Sequence, residues 1–323
     1  MRILITEALS PDAVALLRAH HQVDVRDGCR GEHLCDIIAL YDALIVRSQT
    51  RVCREVLRRA TRLRLIARAG SGVDNIDVAE AERRGILVIN TPGANAIAVA
   101  EHTVGLMLAL ARHIPLADAS VRAGEWRRSE FEGVELYGKV LGVIGLGCVG
   151  VEVARRALAL GMTVIAADPF VAPEPALALG VPLVPLETLL ARADFVSIHV
   201  PANASTHHLV GRRELALVKP GCRIVNCARG EVLDEDALLD ALEEGKVAGA
   251  ALDVFGTEPP TNERLLRNRR VILTPHIGGS TVEARARVGV EVARQVLRVL
   301  AGESPAHRVW GNVLSEQGAN PLG

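Results

Sequence analysis

Aromatic side chains are scarce in this 323-residue chain, which has two Trp, two Tyr and four Phe. A hydrophobic core with so few large rings must be built from Ala, Val, Leu and Ile, and hydrophobic residues still make up 49% of the sequence. A core of this composition is typical of parallel sheets covered by helices on both faces. At this length we expect two domains, each with its own core.

A charge imbalance is also missing, since 37 Lys and Arg residues accompany 38 Asp and Glu residues and no block of like charge occurs. This balance argues against a surface that binds nucleic acid or a membrane. The most apolar helical segment, residues 94–111, is interrupted by Asn95, Glu101 and His102, so we do not expect it to span a membrane. The N-terminus lacks the charged and apolar regions of a signal peptide, which predicts a cytoplasmic protein.

Metal-binding and disulfide patterns are absent as well. The six cysteines include no C-x-x-C pair, and no two histidines stand at metal-ligand spacing beside a carboxylate. We therefore predict no metal site and no disulfide framework. We expect buried free thiols in a reducing compartment instead. The cysteines are Cys29, Cys35, Cys53, Cys148, Cys222 and Cys227.

Short β-branched runs alternate with Ala-, Leu- and Arg-rich stretches of helical period, which predicts βαβ units and parallel sheets. The first helix is expected to be capped by Ser10, with Pro11 at its first position. The predicted strands form two series, which are Ile3–Ile5, Ala43–Val46, Leu65–Ala67 and Leu87–Ile89, then Val140–Ile144, Thr163–Ala167, Phe195–His199, Ile224–Cys227, Gly249–Leu252 and Val271–Leu273. We infer two doubly wound parallel-sheet α/β domains. Residues 94–282 form one domain, inserted into a discontinuous domain of residues 1–93 and 283–323, whose last residues, 317–323, are expected to be a loose tail.

The pattern G-x-G-x-x-G occurs as Gly145, Gly147 and Gly150, between a predicted strand and a predicted helix. These glycines permit a tight turn, a close approach of the backbone to a pyrophosphate, and close packing of the helix on the strand. The N-terminus of the helix offers N–H groups and a partial positive charge to phosphates. Asp168 ends the next strand, 18 residues after Gly150, where its carboxylate can bind ribose hydroxyls and repel a 2′-phosphate. The sequence therefore predicts a Rossmann-type site for NAD rather than NADP.

Three chemically capable side chains follow successive predicted strands beyond this motif: Arg229, Glu258 and His276. Arginine can bind both oxygens of a carboxylate at once. Histidine exchanges a proton near neutral pH, and a neighbouring carboxylate fixes which of its ring nitrogens carries the proton. Each residue alone is better explained by a purely structural position: Arg229 on a solvated face, Glu258 in a loop and His276 in a turn. Together, at three strand ends after a nucleotide motif, they predict a site that binds a carboxylate and transfers a proton.

Other histidines give weaker signals. His102 lies in the apolar helical segment and is expected to be buried and hydrogen-bonded. His199 ends a strand beside the glycine motif, and both a structural and a binding role stay open for it. The remaining candidates are expected to be solvated, and they are His20, His21, His207 and His208.

The chain resembles the D-isomer-specific 2-hydroxyacid dehydrogenases, and within that family the enzymes that act on 3-phosphoglycerate. The matching stretches are Leu44–Ser48, Ala67–Asn75, Asn90–Gly93, Gly138–Gly150, Asn226–Gly230, Ala250–Phe255, Glu258–Pro260 and Pro275–Thr281. The resemblance implies a Rossmann-type nucleotide domain inserted into a flavodoxin-like substrate domain, and a homodimer formed through the nucleotide domain. It also implies an NAD-dependent enzyme that interconverts a small D-2-hydroxy acid and its 2-oxo acid.

The resemblance also implies roles for individual residues. Arg229 would bind the substrate carboxylate, His276 would donate the proton, and Glu258 would be the partner of His276. Contacts with NAD would be made by Ser71, Gly145, Gly147, Cys148, Val149, Gly150, Asp168, Val200, Cys227, Ala228, Asp253 and Gly279. Contacts with the substrate would be made by Arg47, Arg68, Ser71, Gly72, Val73 and Arg128.

Two departures from the family pattern carry expectations of their own. Position 148 is Cys where these enzymes often carry Arg, which suggests a lower affinity for the cofactor. The chain also ends soon after its last helix, which suggests a short form without the C-terminal regulatory domain of many relatives.

Two alternatives remain open. The substrate could be another 2-oxo acid, such as hydroxypyruvate, glyoxylate, or a sulfolactate-type dianion. More distantly, the scaffold could serve an NAD-sensing protein like the transcriptional corepressors that share it.

Overall fold

The computed structural model describes residues 1–310, so the predicted tail at residues 317–323 lies outside the described residues. The chain divides into two compact units. Among the described residues, the first unit comprises Met1–Asn95 and residues 281–310, and the second unit comprises Ala96–Ser280. The domain boundaries predicted from the sequence differ from these by two residues at each junction.

The N-terminal part of the first unit alternates strands with short helices. The strands are β1 (Arg2–Ile5), β2 (Gln22–Val25), β3 (Ala43–Val46), β4 (Leu65–Arg68) and β5 (Leu87–Ile89). The helices are α1 (Pro11–Arg18), α2 (Gly31–Ile37), α3 (Arg54–Arg59) and α4 (Val78–Arg83). Strand β3 is buried along its whole length, as expected for a central parallel strand covered on both faces.

The second unit begins with two helices and continues as a second βαβ series. Its strands are β6 (Val140–Ile144), β7 (Thr163–Ala167), β8 (Phe195–Ile198), β9 (Cys222–Asn226), β10 (Val247–Leu252) and β11 (Val271–Leu273). Its helices are α5 (Ala96–Ala111), α6 (Ile114–Arg122), α7 (Cys148–Ala159), α8 (Pro173–Ala178), α9 (Leu186–Arg192), α10 (Arg212–Leu217), α11 (Glu235–Glu243) and α12 (Glu263–Arg267).

The chain then returns to the first unit through α13 (Val282–Leu300) and β12 (Arg308–Val309). Thr281 caps α13, because its hydroxyl oxygen accepts a hydrogen bond from the N–H of Ala284 at 3.1 Å. The apolar face of α13, including Val288, Val292 and Val296, packs into the same core as strands β1 and β3. This packing explains why the first unit is discontinuous in sequence.

Each unit contains one six-stranded sheet. The strand order is β12-β5-β4-β3-β1-β2 in the first unit and β11-β10-β9-β8-β6-β7 in the second. All pairs are parallel except β12 with β5. In both sheets the order of the strands reverses at one strand, because the next strand along the chain lies on one side of it and the later strands lie on the other side. This strand is β1 in the first unit and β6 in the second. Such reversal points open a crevice at the carboxyl ends of the strands, where ligands of open α/β sheets bind.

Three local features differ from the sequence-based prediction. Strand β2 was not predicted, because it lies at a sheet edge and only Val23 within it is buried. Strand β12 has only two residues, too few for a recognisable pattern. Ser10 occupies the N-cap position of α1, but its hydroxyl makes no capping hydrogen bond. It faces Gly289 of α13 instead, where a Cβ atom would lie 2.9 Å from the hydroxyl oxygen.

Within residues 1–310, no single helix is both long and apolar enough to cross a bilayer. Helices α5 and α6 reach that length and composition only as a pair, bent by 63°.

Candidate active site

The glycine motif occupies the turn from β6 into α7, at the reversal point of the second sheet. Gly145 has a φ of +90°, and a Cβ atom there would lie 2.7 Å from the carbonyl oxygen of His199. A Cβ atom on Gly150 would lie 2.1 Å from the carbonyl oxygen of Gly145. Gly147 has nothing within 4 Å of that position. The first and third glycines are therefore required by packing, whereas the second leaves open space beside the backbone, as a dinucleotide cradle needs.

Asp168 follows β7 and is tied to this turn. One carboxylate oxygen accepts a hydrogen bond from the N–H of Leu146 at 2.8 Å, and the other accepts one from the N–H of Phe170 at 2.9 Å. The side chain is partly buried and fixed in orientation. Because each carboxylate oxygen can accept more than one hydrogen bond, acceptor capacity remains for the hydroxyls of a ribose.

Arg229 lies in a tight turn after β9. The side chain of Asn226 closes this turn, since its amide donates to the carbonyl of Arg229 at 2.9 Å and its oxygen accepts from the N–H of Ala228 at 3.0 Å. The next residue, Gly230, presses against the peptide linking Phe255 and Gly256, where a Cβ atom would approach within 1.8 Å. No side chain fits there, so Gly230 brings the turn carrying Arg229 against the segment that leads to Glu258.

Glu258 and His276 form a hydrogen-bonded pair. Nδ1 of His276 lies 2.9 Å from one carboxylate oxygen of Glu258 and 3.1 Å from the other. The side chain of His276 is 48% exposed and that of Glu258 is 40% exposed, so the pair is open to solvent and to ligands. Glu258 follows β10 and His276 follows β11, two adjacent parallel strands. Because adjacent parallel strands end at the same edge of a sheet, the two side chains meet there.

A buried carboxylate, Asp253, holds the segment that carries His276. It accepts hydrogen bonds from the hydroxyl of Thr274 at 2.6 Å and from the N–H groups of Ile277 and Gly278 at 2.9 and 2.7 Å. His102 adds a contact, with Nε2 at 3.3 Å from the same carboxylate. Burial alone would raise the pKa of Asp253, but these donors outweigh it and leave the pKa below its ordinary value. The carboxylate is therefore charged at neutral pH.

His102 and His199 have distinct environments. His102 is partly buried and also lies 3.1 Å from the hydroxyl of Thr274, so the prediction of a hydrogen-bonded side chain is confirmed, although its burial is incomplete. His199 lies at the reversal point, with Nε2 at 2.7 Å from the hydroxyl of Ser197. Burial lowers the pKa of His199 to about 3, so its ring is neutral at physiological pH and adds no positive charge beside the glycine turn.

The cysteines separate into two groups. Cys29, Cys35, Cys222 and Cys227 are buried, as predicted, whereas Cys53 and Cys148 are exposed. The prediction of buried thiols is therefore wrong for these two. Cys148 is the first residue of α7 and directly follows Gly147, beside which a Cβ atom would meet nothing within 4 Å.

Apart from Ser71, which lies in the first unit, the other residues predicted to contact the cofactor lie around the same sheet edge. Val149 and Gly150 continue α7, Val200 follows β8, and Cys227 and Ala228 follow β9. Gly279 follows the segment held by Asp253. In residues 1–310 no group of three His, Cys, Asp or Glu side chains is arranged to hold a metal ion.

The residues predicted to contact the substrate are spread over both units. In the first unit, Arg47 follows β3 and Arg68 ends β4, both partly buried. A Cβ atom on Gly70 would collide with the guanidinium of Arg68, so this glycine makes room for the arginine. Arg128, in the second unit, begins a short 3-10 helix, Arg128–Phe131, and is exposed.

The loop of Ser71, Gly72 and Val73 follows β4 and is anchored at its first residue. The side-chain amide of Asn90 donates to the carbonyl of Ser71 at 2.6 Å, and the Ser71 hydroxyl donates to Asn95 at 3.1 Å. All three loop residues are only partly buried.

Comparison with known proteins agrees with this geometry. Residues 104–278 match the profile described as D-isomer specific 2-hydroxyacid dehydrogenase, NAD binding domain. The chain belongs to this family. The predicted family, fold class and NAD cofactor are thereby confirmed. The cradle at Gly145–Gly150 and the carboxylate of Asp168 fit that cofactor.

Named relatives extend the match over most of the chain. D-3-phosphoglycerate dehydrogenase from Methanocaldococcus jannaschii is 50% identical over 304 residues, which is 94% of this chain and 58% of the relative. The enzyme of that name from Mycobacterium tuberculosis is 48% identical over 319 residues, 98% of this chain and 60% of the relative. This chain thus spans somewhat more than half the length of these relatives.

Solved structures show the same fold. A glyoxylate reductase from Paecilomyes thermophila superposes with a TM-score of 0.88 at 33% identity, covering 98% of this chain and 99% of that one. This fold is thus shared with an enzyme named for glyoxylate, a 2-oxo acid, whereas the relatives above are named for 3-phosphoglycerate, a 2-hydroxy acid.

Proposed function

We propose that this protein is an NAD-dependent dehydrogenase that interconverts a D-2-hydroxy acid and its 2-oxo acid, with 3-phosphoglycerate and 3-phosphohydroxypyruvate as the physiological pair. The proposal depends above all on the His276–Glu258 pair, 2.9 Å apart and open to ligands at the carboxyl edge of an NAD-binding sheet. The name D-3-phosphoglycerate dehydrogenase, carried by relatives 45–50% identical, supports the choice of substrate.

The proposed chemistry assigns one task to each of three side chains. Bound NAD supplies the hydride acceptor, or the donor when it is reduced. Since Glu258 occupies Nδ1 of His276, Nε2 is the nitrogen that takes the proton from the substrate hydroxyl, or returns it to the carbonyl. Arg229 binds the carboxylate through its planar guanidinium, which places the 2-position and its oxygen near the histidine.

The preference for a phosphorylated acid is proposed to come from cationic side chains outside this group of three. Arg47 follows β3 and Arg68 ends the adjacent strand β4, both in the first unit, and Arg128 lies in the second unit. Guanidinium groups suit phosphate because their forked donors match its oxygens. The backbone N–H groups of Ser71, Gly72 and Val73 are proposed to bind the substrate carboxylate.

Turnover on a panel of acids tests the proposal. The panel contains 3-phosphohydroxypyruvate, hydroxypyruvate, glyoxylate, pyruvate and sulfopyruvate with NADH, and 3-phosphoglycerate with NAD. We expect kcat/KM to be highest for the phosphorylated pair. A preference for another acid would keep the dehydrogenase chemistry and replace the substrate. NAD binding without turnover on any acid would favour the NAD-sensing alternative.

A homodimer formed through the nucleotide domain and a cytoplasmic location are also proposed. Sedimentation of the purified chain at several concentrations tests the first of these. Fractionation of the source cells tests the second.

A further inference from the structure

A buried carboxylate lies at the reversal point of the first sheet. Glu7 follows β1 by two residues, and Arg47 directly follows β3, the neighbour of β1 in the sheet. The crevice expected at such a reversal point therefore has Glu7 on one side and Arg47 on the other. Glu7 is only 5% exposed, so its charge must be balanced within the protein.

Backbone N–H groups of the Arg47 loop provide that balance. One carboxylate oxygen of Glu7 accepts hydrogen bonds from the N–H groups of Arg47 and Thr50, both at 2.9 Å. The N–H of Gln49 lies 3.2 Å from each of the two oxygens. A single side chain thus holds three backbone amides within a four-residue loop, and one of these amides is that of Arg47 itself.

The same loop is fastened through its carbonyl groups. The side-chain amide of Asn75 donates to the carbonyls of Arg47 and Thr50 at 2.7 and 2.6 Å. The hydroxyls of Thr6 and Thr50 lie 2.9 Å apart. Glu7 and Asn75 therefore fix both the N–H and the C=O groups of Arg47, which sets the direction in which its side chain leaves the backbone.

The charges around Arg47 leave it suited to an anion. Burial lowers the pKa of Arg47, as does the neighbouring cation Arg285 in the first turn of α13, whereas Glu7 and Asp27 raise it. A partly buried guanidinium beside a second cation gains more from an anionic ligand than a fully solvated guanidinium does.

We propose that Glu7 is a positioning residue, which acts through Arg47 to hold its guanidinium for the anionic group of the substrate remote from the reacting carbon. The inference depends on the proposed function, because it assigns that remote group to Arg47. The hydrogen bonds described for Glu7 all come from backbone N–H groups of the loop. Because Arg47 is the residue of that loop proposed to bind substrate, the inference assigns the effect of Glu7 to Arg47.

The test is a double-mutant cycle with two substrates, 3-phosphohydroxypyruvate and unphosphorylated hydroxypyruvate. We expect Arg47→Ala to raise the KM for the phosphorylated acid roughly 10- to 100-fold, the factor for a lost hydrogen bond to a charged group. Glu7→Ala should raise it about 10-fold with little change in kcat, and Glu7→Gln by only about 2- to 3-fold, because glutamine keeps an acceptor oxygen. In the Arg47→Ala background, Glu7→Ala should raise the KM for the phosphorylated acid by less than about 2-fold further, because the effects of two substitutions are not additive when one residue acts through the other.

A matched control separates positioning from loss of stability. Glu80 is also a buried carboxylate of the first unit, 4% exposed, but it pairs with arginine side chains such as Arg84 at 2.6 Å. Glu80→Ala should lower the melting temperature and leave both KM values within about 2-fold.

The possible failures are distinguishable. If the wild-type protein shows no preference for the phosphorylated acid, the proposed substrate is wrong. If that preference exists and depends on Arg47, the inference is overturned when Glu7→Ala leaves the KM unchanged. It is overturned equally when Glu7→Ala raises both KM values alike, or costs the same factor in the Arg47→Ala background.

Discussion

A carboxylate oxygen of Glu258 lies at hydrogen-bond distance, 2.9 Å, from Nδ1 of His276, while 48% of the histidine side chain remains exposed. The backbone of His276 is in the left-handed region, with a φ of +52°, which is uncommon for a residue with a side chain. Asp253 stabilises this conformation by binding the two N–H groups that follow, those of Ile277 and Gly278. The site therefore orients its histidine twice, through the ring and through the backbone.

Replacing the proposed proton donor should abolish most turnover without loosening the cofactor. We expect His276→Ala to lower kcat by about 10²- to 10⁴-fold, the usual contribution of a general acid or base. The dissociation constant of NADH, measured by fluorescence titration, should change less than 2-fold or so, because the glycine cradle is untouched. His208→Ala is the control, since His208 also has a positive φ of 49° and lies 3.8 Å from Asp234. Full activity in His276→Ala would show that another group moves the proton.

The carboxylate of Asp168 should set the choice between NAD and NADP. We expect Asp168→Ala to weaken NAD binding and to narrow the preference for NAD over NADP, because it removes both a ribose acceptor and a charge that repels a 2′-phosphate. Since Asp168 also binds the N–H of Leu146 at 2.8 Å, Asp168→Asn is the matched variant, which keeps an acceptor oxygen. The ratio of kcat/KM for the two cofactors is the measurement. An unchanged ratio in both variants would remove Asp168 from cofactor selection.

The parts of the fold predicted from the sequence are those whose signal is local. Central strands such as Ala43–Val46 are continuous apolar runs, and the glycine turn with Asp168 follows a fixed spacing. The edge strand β2 was missed because an edge buries too little to leave a pattern, as its single buried residue, Val23, shows. Ser10 occupies the predicted N-cap position, but its hydroxyl makes no capping hydrogen bond. The sequence does not reveal this, because the hydroxyl faces Gly289, which lies far away along the chain.

The supporting residues of the candidate site could not be predicted, because their partners are far away in sequence. Glu7 binds amides about 40 residues downstream, and His102 meets Thr274 across 172 residues. A lone glutamate after a strand, or a lone histidine in an apolar helix, carries no local signal for such a role. By contrast, a predicted strand precedes each of the residues Arg229, Glu258 and His276. Because parallel strands end at the same edge of a sheet, these three side chains could be placed at one edge from the sequence.

Thiol labelling should locate the dinucleotide on the second unit. Cys53 and Cys148 are exposed, whereas burial raises the pKa of Cys222 and Cys227 to about 12, so those two stay protonated and unreactive. With a maleimide at pH 8 we expect two fast-reacting thiols, identified by peptide mass spectrometry. Saturating NAD should protect Cys148, the first residue of α7, and leave Cys53 as an internal control in the other unit. Equal labelling of both thiols with NAD present would contradict the proposed position of the pyrophosphate.

Asp253 should contribute stability that depends on pH in a defined direction. Its pKa is below the ordinary value despite burial, owing to donors that include His102 and Thr274. A carboxyl group with a lowered folded-state pKa stabilises the fold fully above its unfolded value of about 3.9, and this contribution is lost as the pH falls through the lower folded pKa. We expect Asp253→Asn to reduce the free energy of unfolding at pH 7 by about 1–3 kcal/mol, and to flatten the loss of stability below about pH 4. Urea unfolding from pH 3 to 8 measures both effects.

Asp240→Asn is the control, because Asp240 pairs with arginine side chains on the surface, and this substitution should change the free energy of unfolding much less. If the free energy of unfolding of Asp253→Asn fell with pH as it does in the wild-type protein, the buried carboxylate would contribute nothing to the pH dependence of stability.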